Sequence, residues 1–180
     1  MTIENNDSNS NAPSMTLRSE ARPGDREAIL RIVVSTGFFN DEEAAIAVEL
    51  IDECLAKGAE ASGYHFIFGD AGGRTIGYAC FGPIPGTASS FDLYWIVVDA
   101  AERGRGFGKV LMEAAERRIA TMGGRRVYVE TSTREQYAPT RAFYERCGYR
   151  IEAILKDFYA DGDGKAILLR TLAAPDGLAF

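Results

Sequence analysis

The stretch of sequence that decides the fold is Val98-Asp99-Ala100-Ala101-Glu102-Arg103-Gly104-Arg105-Gly106-Phe107-Gly108-Lys109. It follows an unbroken apolar run and precedes a segment whose apolar residues recur at helical spacing. Glycines at alternate positions free backbone N–H groups to converge on one anion, and the positive end of the following helix dipole points the same way. The stretch therefore predicts a strand–turn–helix unit whose turn, Arg103 to Lys109, binds a diphosphate.

The spacing of this turn excludes two common phosphate-binding motifs. A P-loop requires glycine where this chain has Arg103, and it requires Ser or Thr where this chain has Val110. A dinucleotide-binding fingerprint requires G-x-G-x-x-G, whereas Gly104, Gly106 and Gly108 form G-x-G-x-G. The pattern that remains is R-x-x-G-x-G after a buried strand.

Outward from this turn, the chain alternates between strand and helix patterns in the order β-α-α-β-β-β-α-β-α-β-β, which predicts a mixed sheet flanked by helices. The predicted helices begin at Pro23-Gly24-Asp25, at a capping box of Asn40 and Glu43, after the Gly-rich turn, and at Pro139. The predicted strands are Met15–Ser19, Tyr64–Phe68, Thr75–Phe81, Phe91–Val98, Arg126–Thr131, Tyr149–Leu155 and Lys165–Leu172.

The length of 180 residues fits one domain, since no linker, repeat or low-complexity stretch interrupts the pattern. Residues 1–14 are polar and predict a flexible leader, residues 15–172 form the predicted domain, and residues 173–180 form a tail. The leader lacks the basic and apolar regions of a secretory signal. No apolar run approaches the ~18 residues that span a bilayer.

The charge balance restricts the partners. With 20 Lys and Arg against 26 Asp and Glu, the net charge of −6 argues against nucleic acid and against anionic membranes. Cys54, Cys80 and Cys147 are few and far apart, which favours reduced thiols and a cytoplasmic protein. Together with a single histidine they fit no zinc spacing, so we expect no metal.

Three local matches, in the right order, make the chain resemble the GNAT superfamily of acetyl-CoA-dependent N-acetyltransferases over about residues 15–172. They are the unit described above, the strand Val127 to Thr131, and the helix Arg141 to Tyr149, which carries a tyrosine four residues before a Gly-aromatic pair. The resemblance implies an α/β GNAT fold with a mixed, mostly antiparallel central sheet of six to seven strands flanked by helices.

The resemblance also implies a site for acetyl-CoA. The strand before the turn separates from its neighbour in this family, and its free backbone groups bind the pantetheine arm; by position these belong to Ile96, Val97 and Val98. The Ile96 N–H would polarise the thioester carbonyl. Tyr144 matches the general acid that protonates the departing thiolate. The diphosphate would lie on Arg103, Gly104, Arg105, Gly106, Phe107, Gly108 and Lys109.

Glu130 is the candidate general base, since several family members place their base on this strand. We expect a glutamate within Tyr128-Val129-Glu130-Thr131 to be desolvated, which would suit it to that role. Transfer would then be direct from thioester to amine. The competing interpretations are an outward-facing Glu130 paired with Arg125 or Arg126, and a Tyr144 that is only a core aromatic.

One position departs from the family pattern. Seven residues before the tyrosine the family often has Asn, where this chain has Tyr137, so the contact made there with the pantetheine or acyl end differs. The acceptor is not readable from the sequence: a small amine, an amino acid or a peptide N-terminus all fit. A non-catalytic acyl-CoA-binding regulatory module and a nucleotide-binding protein are the alternative functions, and an edge at the last strand pair allows a monomer or a homodimer.

Overall fold

A computed structural model describes residues 15–173, which form a seven-stranded sheet in the order β1-β2-β3-β4-β5-β7-β6. The predicted leader and all of the predicted tail beyond Ala173 lie outside these residues. The strands are β1 (Thr16–Arg18), β2 (His65–Ala71), β3 (Arg74–Pro83), β4 (Ser90–Val98), β5 (Arg126–Ser132), β6 (Arg150–Ala160) and β7 (Asp163–Thr171). The helices are α1 (Asp25–Ser35), α2 (Asp41–Lys57), α3 (Ala59–Ser62), α4 (Phe107–Thr121) and α5 (Ala138–Arg146), with 3-10 turns at Ala100–Glu102 and Glu135–Tyr137.

Strand β4 lies at the centre of the sheet, as its apolar sequence predicts. Every neighbouring pair of strands is antiparallel except β4 and β5, which are parallel and are joined through α4. The expected mixed, mostly antiparallel sheet is confirmed, with seven strands. The parallel pair is where the family resemblance places the cofactor, so its geometry decides the site.

Helices cover both faces of the sheet and define two apolar clusters. On one face, α4 and α5 enclose a cluster whose fully buried members include Leu111, Ile119, Val127 and Leu168. On the other face, α1 and α2 pack over β2, β3 and the end of β4. No helix in residues 15–173 is long and apolar enough to cross a bilayer.

The start of α2 follows the predicted capping box. The Asn40 side chain accepts a hydrogen bond from the Glu43 N–H at 2.8 Å, and the Glu43 carboxylate accepts one from the Asn40 N–H at 2.9 Å. Two donors that have no partner within the helix are thereby satisfied. The segment between α1 and α2, which contains Phe38, therefore ends at Asn40.

Two of the strands, β2 and β6, extend beyond the ends that the sequence pattern predicts. Strand β2 runs on to Ala71, through a register shift between Gly69 and Asp70, so the turn to β3 contains only Gly72 and Gly73. Gly69, expected in the turn, therefore lies within the strand and has no positive φ. Strand β6 likewise continues past the predicted Leu155 to Ala160.

Candidate functional site

The parallel strands β4 and β5 pair over a short length and then separate. Their register joins Ser90 to Arg126, Phe91 to Val127 and Asp92 to Tyr128. Beyond Asp92, β4 continues to Val98 against β3 alone, and β5 continues to Ser132 against β7 alone. The carboxyl-terminal halves of the two strands thus enclose a V-shaped gap, which we call the β4–β5 gap.

A β-bulge lies on β4 just beyond the point of separation. Cys80 pairs with Trp95 and Phe81 pairs with Leu93, so Tyr94 is an extra residue with no partner on β3. The bulge inverts the side-chain alternation: Leu93 packs in the cluster beneath α4, whereas Val97 packs beneath α1 and α2. Since a bulge bends its strand and increases the local twist, Tyr94 accounts for the separation of β4 from β5.

The direction of the β4 backbone groups follows from the ladder with β3. The Asp99 N–H donates to the Ile76 oxygen at 2.8 Å, and alternation along the antiparallel pair then directs the N–H and C=O of Val97 toward β3. The N–H and C=O of Ile96 and Val98 point the other way, into the β4–β5 gap. Of the three residues predicted to bind through their backbone, the register supports Ile96 and Val98 and directs Val97 away.

The Gly-rich turn after β4 leaves a set of donors unused. Gly104 and Gly106 have φ values of +77° and +82°, a conformation that L side chains rarely adopt. The N–H groups of residues 104–108 donate to no acceptor in the part of the chain that the structure describes. Helix α4 begins at Phe107 with no side-chain cap and no acidic residue in its first turn. Free N–H groups and an uncompensated dipole make this turn suited to an anion.

The basic side chains of the turn are exposed and lie close to it. Arg105 forms an ion pair with Glu102, and the Arg103 guanidinium lies 5.1 Å from the centre of the Phe38 ring. Lys109 extends from the first turn of α4, 3.8 Å from Glu113. The seven predicted residues from Arg103 to Lys109 therefore form one short turn that carries both the unused N–H groups and three basic side chains.

Asp99 holds this turn against the rest of the molecule, a role that the sequence did not indicate. Its buried carboxylate accepts hydrogen bonds from Arg31 of α1 at 2.5 Å, from Arg74 of β3 at 2.8 Å and from the Ala101 N–H at 3.1 Å. Burial alone would raise the pKa of Asp99, but these bonds to its charged form lower it. This role has no local sequence signal, because Arg31 and Arg74 lie far from Asp99 in the chain.

Tyr144 lies on α5, which packs against the start of α4. A Cβ at Gly108 would lie 3.4 Å from the Phe143 ring, so the two helices approach closely there. Tyr144 is 8% exposed and belongs to the apolar cluster against which Ile96 and Val98 pack. Burial raises the pKa of its hydroxyl, and nearby Cys147 adds to the shift, so the group is protonated at neutral pH. A protonated hydroxyl can donate.

Glu130 lies on the β5 arm of the gap, and the expected desolvation is wrong. Its side chain is 47% exposed, on the face of β5 opposite the Val127 and Val129 side chains that pack beneath α4. Its partner is neither Arg125 nor Arg126 but Lys165, whose Nζ lies 2.6 Å from the carboxylate.

Asp92 is a second carboxylate at the gap that the sequence analysis missed. It lies at the apex, where its partner Tyr128 places it on the same face of the sheet as Glu130. Asp92 is half-buried, and this burial, together with the charge of Glu130, raises its pKa. An acidic residue that interrupts an apolar strand, as in Phe91-Asp92-Leu93, was the signal that could have identified it.

Aromatic side chains line the α1–α2 side of the gap. Phe39 packs on Trp95 with ring centres 4.9 Å apart, and Tyr64 contacts Tyr94 edge-on at 5.6 Å. At the other end, the β6–β7 hairpin places Phe158 against the Lys165 ammonium at 3.9 Å. Aromatic side chains, two carboxylates and one ammonium therefore lie on the two strands of the gap and on the segments packed against them.

These features together indicate what kind of ligand the site suits. A cleft between separating parallel strands exposes peptide groups that can pair with an extended amide chain, and a turn at its wide end can hold a diphosphate. A buried tyrosine and two carboxylates stand near the gap. Such an arrangement suits a long diphosphate cosubstrate whose reactive end lies between the strands.

The profile of the Acetyltransferase (GNAT) family matches residues 27–149. The chain belongs to the GNAT family of acetyltransferases. A comparison with curated protein sequences gives no match.

Solved structures agree with this family. A protein from Desulfovibrio desulfuricans assigned to the GNAT acetyltransferases is 44% identical, with a TM-score of 0.87 over 89% of this chain and 100% of that one. An aminoglycoside 6′-N-acetyltransferase complexed with coenzyme A is 17% identical, with a TM-score of 0.71 over 90% and 100%. The ribosomal-protein-S18-alanine N-acetyltransferase of Escherichia coli is also 17% identical, with a TM-score of 0.68 over 93% and 100%. The last two support the fold alone.

Among residues 15–173, no group of three or more His, Cys, Asp or Glu side chains is arranged to hold a metal ion. The three cysteines are free thiols, two of them buried.

Proposed function

We propose that this protein transfers the acetyl group of acetyl-CoA directly to a primary amine of a small molecule, an amino acid or a peptide, in the cytoplasm. The observation that carries the proposal is the β4–β5 gap with its unused donors at the wide end. Acetyl-CoA supplies an activated acetyl group as a thioester, and the chain must hold it, polarise it and move two protons.

The turn from Arg103 to Lys109 binds the diphosphate. Five consecutive N–H groups, which have no acceptor within residues 15–173, and three basic side chains match its charge, in a protein whose net charge is −6. Ile96 and Val98 bind the pantetheine arm through backbone groups that face the gap, and Val97 contributes its side chain to the core beneath α1 and α2.

The Ile96 N–H donates to the thioester oxygen, where negative charge develops during attack. A peptide N–H fixed in a strand needs no reorganisation at that moment, so the donor is already in place. Tyr144 then donates its proton to the departing sulfur, which suits a hydroxyl that stays protonated at neutral pH.

Glu130 accepts the proton that the acceptor amine must lose before its lone pair can attack. Its position supports this role, since it lies beyond the last β4–β5 pair, on the arm of the gap itself. Asp92 is the second candidate base, favoured by its half-burial and raised pKa. The two carboxylates would also attract a cationic amine.

The test is mass spectrometry of the products after incubation with acetyl-CoA and a pooled library of amines, amino acids and short peptides. An acetylated product supports the proposal and names the acceptor class. In parallel, the melting temperature is measured with CoA, ATP and NAD.

Stabilisation by CoA without any product would favour the alternative, a non-catalytic acyl-CoA-binding regulatory module. Stronger stabilisation by ATP or NAD would favour the nucleotide-binding alternative and contradict the assignment of the turn to CoA.

A further inference from the structure

We propose that Phe38 and Tyr137 form an aromatic clasp that closes the wide end of the β4–β5 gap over the pantetheine arm of acetyl-CoA. This inference rests on the proposed function. It assigns a positioning role to two residues, one of which stands where the family often has Asn.

The position of Phe38 follows from its two neighbours. On one side its ring lies 5.1 Å from the Arg103 guanidinium, in the turn that follows β4. On the other side it lies 6.4 Å from the Tyr137 ring, in the 3-10 turn that follows β5. Since β4 and β5 are parallel and separate toward their carboxyl ends, one ring in contact with both following segments spans the open end of the gap.

Both rings are held at this place by the surrounding chain. Phe39, the residue after Phe38, packs on Trp95 of β4, and the capping box of α2 begins one residue later, at Asn40. The Tyr137 ring also lies 5.9 Å from the Arg134 guanidinium. Phe38 nevertheless remains 42% exposed, so one side of the clasp is free to contact a ligand.

The chemistry of the two rings fits the middle of the cosubstrate. A pantetheine arm alternates amides with methylene groups, so aromatic faces can cover its apolar parts while the strand backbone pairs with its amides. An Asn at the position of Tyr137 could offer only a hydrogen bond. This chain therefore exchanges a polar contact for a ring-to-ring contact across the gap.

The test measures binding by titration calorimetry with acetyl-CoA and with 3′-phosphoadenosine 5′-diphosphate, which has the diphosphate but no pantetheine arm. We expect Phe38→Ala and Tyr137→Ala each to weaken acetyl-CoA binding roughly tenfold, because a packed aromatic face is lost. Tyr137→Phe keeps the ring, so its Kd for acetyl-CoA should stay within about twofold of that of the unaltered protein. A change of that size is typical of surface substitutions that remove no packed group. Binding of the fragment should be unchanged in all three variants.

Val34→Ala is the matched control, because Val34 lies four residues before Phe38, is 62% exposed and faces the groove between α1 and α2. The double variant Phe38→Ala, Tyr137→Ala should lose less affinity than the product of the two single losses, since the rings act on one another. The melting temperature of each variant checks that the fold is intact.

Three results would overturn the clasp: acetyl-CoA binding by both alanine variants as tight as by Val34→Ala, equal weakening of the pantetheine-free fragment, or strictly multiplicative losses. A failure of the unaltered protein to bind acetyl-CoA would instead overturn the proposed function, and the clasp with it.

Discussion

At the scale of single residues, the site contains polar groups whose surroundings differ sharply. Tyr144 is buried in an apolar cluster, Asp92 is half-buried, and Glu130 is largely open to water beside Lys165. These differences set the pKa values of Tyr144 and Asp92, which burial raises in both residues. They also provide residue-level tests in which the substitution removes one atom or one charge.

Tyr144→Phe should lower kcat by about 10²–10⁴-fold, because the departing thiolate would lack its proton donor. The ring remains, so packing and the Kd for acetyl-CoA should change little. Steady-state kinetics with titration of acetyl-CoA separates the two effects. An unaltered kcat would remove Tyr144 from the acid role and leave it as a core aromatic.

Glu130→Gln and Asp92→Asn distinguish the two candidate bases. A base acts when deprotonated, so kcat/KM falls as the pH decreases through its pKa in the free enzyme. We expect Glu130→Gln to lower kcat/KM by at least about 10²-fold and to abolish this acidic limb. If the limb disappears in Asp92→Asn and persists in Glu130→Gln, the base is Asp92, in line with its raised pKa.

At the scale of secondary-structure elements, the β4 bulge and the Gly-rich turn together shape the proposed binding site for acetyl-CoA. The bulge at Tyr94 turns the strand away from β5, and the turn then directs free N–H groups at its end. Neither element alone would suffice, since an unbulged β4 would pair with β5 over its length and close the gap.

Gly106→Val should weaken acetyl-CoA binding by about 10-fold or more, since a β-branched residue disfavours the left-handed conformation at φ +82° that starts α4. Gly86→Val is the matched control: Gly86 has φ +77° and, like Gly106, has no atom within 4 Å of a built Cβ, but it lies in the β3–β4 loop. Calorimetry with acetyl-CoA compares them. Equal losses in both variants would mean that general backbone strain, rather than the turn, is responsible.

At the scale of the whole molecule, Asp99 connects the turn to two other parts of the fold. It joins the end of β4 to Arg31 of α1 and Arg74 of β3, and Ser35 of α1 accepts from the Ala100 N–H at 3.1 Å. Through these bonds the helix that precedes Phe38 and the turn that follows β4 are held in one arrangement. The proposed clasp and the proposed diphosphate site are therefore connected through Asp99 and Ser35.

Asp99→Ala should lower the free energy of unfolding by about 1–2 kcal/mol, because the Ala101 N–H loses its acceptor and two half-exposed arginines lose a shared partner. Glu53→Ala, which removes an exposed helical ion pair with Lys57, is the control and should cost less than about 0.5 kcal/mol. Urea unfolding measures both. A loss in Asp99→Ala no larger than in the control would show that the buried carboxylate is not a structural hub.

The fold was predictable from the sequence to a large extent, since element order depends on local periodicity, capping residues and glycine-rich turns. The capping box at Asn40, the central β4 and the N-terminus of α4 were each visible within a few residues of chain. The ends of β2 and β6 were not, because each strand continues past a register shift in its pairing with a neighbouring strand, and the residues of one strand alone do not show such a shift.

The sequence by itself determined the family, the Gly-rich turn and the position of Tyr144, because each depends on residue types at short, fixed spacing. Only the tertiary structure decided which backbone groups of β4 face the gap, that Glu130 pairs with Lys165, that Asp92 lies beside them, and that Phe38 meets Tyr137. The physical reason is that a single bulge inverts the alternation of a strand, and residues 99 positions apart become neighbours only when two separating strands bring their ends together.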